Sequence, residues 1–264
     1  MSDMSDLKCV SCGEQLERVR YFPRQLLTAD DMRVEQDYFR EKLRRHNRYL
    51  HGWGVVCGCA VESVKGAKTW TVRVCPGYVV GPQGDDILIN DCIDVDLKLG
   101  ATPDPCTVRW PCPPQGDMPG GERDIALVYI AVRYAECFSR PVRVHPAGCG
   151  CDEMACEYSR IRDSFEIKVL WKLPDSHIKA AQDDAQWCNT VHAVPPELLQ
   201  RRHLFPVPPC PECVVEPWVV LATVAIPANQ DPALTGNAGL QISYNDRRVL
   251  LATQRLQIAM LCLP

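Results

Sequence analysis

One stretch constrains the fold more than any other: Tyr21 to Gly58, YFPRQLLTADDMRVEQDYFREKLRRHNRYLHGWGVVCG. It holds the start, body and stop of a single helix. Thr28 followed by Asp31 fits the S/T-x-x-D/E capping pattern, in which each side chain answers a backbone amide that the first turn leaves unpaired. Leu27 and Met32 stand where a hydrophobic staple would set the chain's entry. Met32, Phe39, Leu43, His46 and Leu50 recur at sevens, fours and threes, which makes one narrow apolar stripe. The other faces carry Arg33, Asp37, Arg40, Glu41, Arg44, Arg45 and Arg48. Gly52 and Gly54 supply the backbone freedom that ends the helix. At ~1.5 Å per residue the rod is roughly 30 Å long. Its stripe requires a partner, either the β-rich body that follows or a neighbouring subunit.

The same stretch, read as YF-x-x-QLLTADD…EQ…HNR-x-LHGWGVVCG, resembles the opening of uncharacterised structural proteins found with phage tails and contractile injection systems. Weaker echoes follow at Pro76-Gly77-Tyr78, Tyr158-Ser159-Arg160-Ile161-Arg162 and Trp218-Val219-Val220-Leu221-Ala222-Thr223. The resemblance brings no catalytic residues. It implies a place in an assembly (baseplate, fibre attachment or tail end), with other particle subunits and copies of the same chain as partners. The rod and its Gly-rich exit would make the contacts, through Met32, Phe39, Leu43, Arg44, Arg45, Arg48 and Trp53. The abundance of cysteine departs from that group and leaves a metal or redox role open.

At 264 residues the chain can build one large domain or two modest ones, and 46% apolar content supports a core. A net charge of −4 disfavours a globally basic nucleic-acid binder. The Arg-rich face from Arg40 to Arg48 is diluted by Glu35, Asp37 and Glu41, and reads as a solvated or intersubunit ion-pair surface. No apolar run approaches the ~18 residues that span a bilayer. The opening MSDMSDLKCVSCG lacks the features of a secretory signal. The expected location is cytoplasmic at synthesis, with release or surface association as part of an assembled particle.

The 22 prolines and 16 glycines mark many turns, and apolar alternation marks strands between them. Thr69–Cys75, Tyr78–Val80, Asp86–Ile89, Cys92–Leu97 and Phe165–Leu170 alternate or form short β runs. Ile125–Val132 and Trp218–Ile226 are nearly continuous apolar runs, as central strands are. Ser176–Cys188 and Pro195–Arg202 fit short helices, and Val249–Cys262 is open between a helix and a strand pair. The expected fold is α+β: a mainly antiparallel β body, one long N-terminal helix, and Cys-rich loops stabilised by metal. The expected divisions are a Cys-knuckle tail over 1–20, the helix and its exit over 21–54, and a small β module over 55–100. A Pro/Gly-rich loop over 101–123 then leads into a second β-rich module over 124–264.

Sixteen cysteines in a chain without an export signal argue for thiols or metal thiolates over a disulfide framework, with disulfides as the alternative in a released particle. Cys9-Val-Ser-Cys12-Gly13 is a knuckle that suits half of a tetrahedral zinc site. Cys149, Cys151 and Cys156 cluster between glycines, and Cys210-Pro-Glu-Cys213 adds a CxxC pair. The preferred structural zinc site draws on these five, and the first group has Cys137 as an alternative ligand. Cys57 reads as a buried small hydrophobe, and Cys75, Cys92 and Cys262 as inert core thiols. The chain has no GxSxG, HExxH, GxxxxGK[ST] or suitably placed GxGxxG. The sequence therefore points to a structural protein, not an enzyme. The rival reading is a metal- or redox-responsive binding protein.

Overall fold

The computed structural model describes residues 15–64, 70–97, 125–144, 155–195, 207, 209–227, 239–253 and 255–256. Helix α1 spans Ala29–His46 and runs on through a π-helical turn, Asn47–His51. The strands that follow are β1 (Gly54–Gly58), β2 (Val61–Ser63), β3 (Thr71–Val74), β4 (Gly77–Val80), β5 (Asp86–Ile89) and β6 (Ile93–Asp96). Then come the long strands β7 (Ile125–Val144) and β8 (Ala155–Leu170), helix α2 (Asp175–His192), β9 (Val219–Pro227) and β10 (Gln241–Ser243). The class is α+β with a largely antiparallel β body, as the sequence predicts.

The strands form three sheets, ordered β1-β4-β5, β2-β3-β6 and β10-β9-β7-β8. Every ladder between named strands is antiparallel; one parallel bridge, Val55 to Val249, ties the late chain to β1. Two three-stranded sheets are too small to bury their own faces, so they share one core with the four-stranded sheet. Val55, Val72, Val74, Val79, Ile87 and Val95 pack in the same cluster as Val128, Ile130, Ile167, Val169, Leu221 and Val224. The division expected between 55–100 and 124–264 therefore does not separate two cores. Fully burying one such side chain contributes ~1.5–3 kcal/mol.

The structure departs from the sequence reading in two ways. Strands β7 and β8 pair from Tyr129↔Leu170 out to Val144↔Ala155, whereas β9 flanks β7 only as far as Val132↔Val219. Beyond that point β7 and β8 continue as a two-stranded arm. Toward the end of the arm the apolar side chains of Phe138, Val142, Tyr158 and Ile161 are exposed, and the Phe138 and Tyr158 rings stack with centroids 5.7 Å apart. The second departure concerns thiols. A register shift between Val55 and Cys57 turns Cys57 outward, and the thiol in the core is that of Cys59. Burial pushes the Cys59 thiol up to about 11, and Cys57 adds to the shift while Arg247 opposes it.

Candidate assembly interface

The start of α1 is built as its sequence requires. Thr28 Oγ1 accepts the Asp31 N–H at 3.2 Å, and Asp31 Oδ2 accepts the Thr28 N–H at 2.8 Å. These bonds to Thr28 hold the Asp31 carboxyl below the usual carboxylate range.

The orientation of the rod is the central observation. Its charged face, not its apolar stripe, meets the body. Arg44 and Arg48 are 6% and 7% exposed. Arg44 donates to Asp85 at 2.5 Å and to Glu41 at 2.6 Å. Asn47 Nδ2 donates to the Gly84 carbonyl at 2.9 Å, and Arg48 contacts the Cys213 sulfur at 3.3 Å. Arg40 reaches Glu136 at the base of the β7–β8 arm at 2.9 Å. Gly84 makes the close approach possible: its φ is +92°, and a Cβ there would sit 2.2 Å from the Arg44 carbonyl oxygen. Burial opposes the charge on Arg44, but Asp85 and Glu41 outweigh it and its pKa rises. Asp85 is raised above the ordinary carboxylate range, because burial costs its anion more than Arg44 returns.

The stripe is left facing outward. Met32, Phe39, Leu43 and Leu50 are 48%, 59%, 53% and 70% exposed, and Leu26 at the entry is 86% exposed. His46 lies exposed on the same row, its Nε2 3.4 Å from His51 Nε2. An apolar row of this length on solvent is what monomeric surfaces avoid and interfaces use.

The residues expected to dock therefore separate into two groups. Met32, Phe39 and Leu43 face solvent and are available to a partner. Arg44 and Arg48 are turned into the body and are corrected from docking residues to internal anchors. Arg45 is partly buried. Trp53 is also internal: it packs on the shared core, meets the His177 ring edge-to-face at 4.8 Å, and lies under the Arg248 guanidinium at 5.0 Å. His177 Nε2 accepts the Val220 N–H at 3.0 Å, which requires that nitrogen unprotonated. Burial, reinforced by Arg248, lowers the His177 pKa to about 4.

The expected zinc ligands fare differently. Cys137 and Cys213 are disulfide-bonded, so neither sulfur is a thiolate ligand. Cys210 is exposed. Cys9, Cys12, Cys149 and Cys151 lie outside the described residues, as does the side chain of Cys156. Among the described residues no group of three or more His, Cys, Asp or Glu is placed to hold a metal ion. Nor is any helix among them long and apolar enough to cross a membrane.

The β7–β8 arm was missed by sequence reasoning. Its signal was present in the alternation of Tyr134, Glu136, Phe138, Arg140 and Val142, which mixes apolar and charged residues on one face. No protein-family model matches the chain, and no curated protein matches it.

Proposed function

We propose that the chain is a structural component of a phage-tail-like contractile particle, at the baseplate, a fibre attachment or the tail end, and that it acts by assembly. The observation that carries the reading is the outward apolar row of α1, held out by the buried Arg44–Asp85 anchor. The occupant of that row is the same row on a second copy. Ala29, Met32, Gln36, Phe39, Leu43, His46 and Leu50 follow the alternating three-and-four spacing of a two-helix seam. Gln36 and His46 are the polar members that fix register in such seams. Glu35 and Lys42 flank one side of the row, and Arg33 and Arg40 the other. The arm, joined to α1 through Arg40 and Glu136, offers a second surface to neighbouring subunits.

The test is to isolate tail-like particles from cells producing the chain and measure its content by quantitative mass spectrometry. The reading expects the chain in fixed stoichiometry with sheath and tube subunits. It also expects a folded F39E/L43E chain to be absent from the particles. A chain found free, with none in particles, overturns it.

A further inference from the structure

Cys75 and Cys92 flank β3 and β6, whose register runs Thr71↔Asp96, Val72↔Val95, Arg73↔Asp94 and Val74↔Ile93. The next pair along that register is Cys75 and Cys92. Its type follows from the ladder. Leu97 N–H donates to the Trp70 carbonyl at 2.8 Å, so 70 and 97 are a hydrogen-bonded pair. Alternation then makes 71/96, 73/94 and 75/92 the non-hydrogen-bonded pairs. The Cys75 N–H agrees with this, since it donates the other way, to the Ala60 carbonyl at 2.8 Å. Opposed residues of this type stand with Cα atoms ~4.5 Å apart, inside the ~4.4–6.8 Å window that a disulfide needs. Arg73 and Asp94, of the same type on the same face, already touch at 2.6 Å.

The face is the outer one. Val72, Val74 and Val95 point into the core, whereas Arg73, Asp94 and Cys92 are exposed and Cys75 is partly so. Both cysteines carry free thiols, and the Cys75 thiol hydrogen-bonds that of Cys92. The expectation of two inert core thiols is corrected: strand alternation places them together at the surface.

We infer that Cys75 and Cys92 are a redox-closable thiol pair, oxidised by small-molecule disulfides such as oxidised glutathione. The exposed Cys92 thiolate attacks one sulfur of the oxidant and releases one glutathione thiolate, leaving a mixed disulfide. The Cys75 thiolate attacks the Cys92 sulfur and releases the second. The two protein thiols lose two protons and two electrons, and the oxidant becomes two molecules of glutathione. The bond closes a ring over residues 75–92, which contains the β4–β5 hairpin with Gly84 and Asp85 at its turn. Oxidation therefore stiffens the hairpin on which α1 is anchored. This inference is independent of the role proposed for the outward row.

The experiment treats the full chain with graded ratios of oxidised to reduced glutathione, then digests it without reduction and maps the peptides. The expected product is a peptide pair joined at Cys75 and Cys92, with the intact chain lighter by two hydrogens. Its melting temperature rises by roughly 5 °C or more over the chain before oxidation. The C75S/C92S chain shows neither change. If that double variant fails to fold, Cys92→Ser alone, at an exposed position, removes the joined peptide. Stable glutathione adducts without the internal bond, a link from Cys92 to a different cysteine, or no reaction at all would each overturn the inference.

Discussion

Arg44 and Asp85 meet at 2.5 Å where α1 crosses the turn between β4 and β5, and both side chains are almost wholly buried. A buried pair of this kind sets orientation more than it adds stability, because desolvation offsets most of the attraction. Its consequence is directional. A helix fixed by its charged face has its apolar face left over.

Removing Arg44 leaves the Asp85 carboxylate buried without its cation, whereas removing Asp85 leaves Arg44 still paired to Glu41. Arg44→Met is expected to cost about 3–5 kcal/mol in urea denaturation. Replacing both, as R44M/D85L, recovers most of that loss. Gly84→Ala is expected to cost on the order of 2 kcal/mol, because φ is +92° and the added carbon meets backbone. A neutral Gly84→Ala would show that the close approach is not tight.

His177 predicts a pH window. Its pKa is lowered from 6.5 to about 4 in the fold, with Arg248, Asp246 and Asp184 as the nearby charges. Between these values the unfolded chain binds the extra proton, so its contribution is complete above pH ~6.5 and is lost as pH falls toward 4. The loss is at most ~3 kcal/mol. Denaturation midpoints measured from pH 7.5 to 4 should fall across this window. In His177→Gln, whose side-chain oxygen can still accept the Val220 N–H, the fall should be shallower.

Thr28→Ala removes half of the capping box and should cost ~1 kcal/mol. Because the start of α1 is exposed, the effect should be local fraying. Hydrogen exchange should speed up at the amides of residues 29–32 and stay unchanged in β7 and β9.

The sequence showed that α1 exists, where it begins and which residues form its stripe, because capping and 3.6-residue periodicity are local. It did not show which face meets the body. Arg44 looks like a solvent residue until Asp85, 41 positions away, is brought beneath it, and Arg48 until Cys213 is. The continuous apolar runs at Ile125–Val132 and Trp218–Ile226 marked the central strands β7 and β9, since burial on both faces leaves no alternation. The arm was invisible to the same rule, because its strands carry mixed residues, with Arg140, Arg160 and even Pro141 between the apolar ones. Cys57, expected in the core, is turned out and Cys59 is buried instead, through a local register shift that spacing does not reveal. Cys75 was readable: the alternation of Val72 and Val74 inward already sends it outward.

Sedimentation velocity of the full chain tests most directly whether α1 presents its apolar row to a second copy. At micromolar concentration the chain should sediment as a dimer or larger species, and the F39E/L43E chain as a monomer with stability within about 1 kcal/mol of the parent. A parent chain that stays monomeric, or one whose association is untouched by both glutamates, would contradict it.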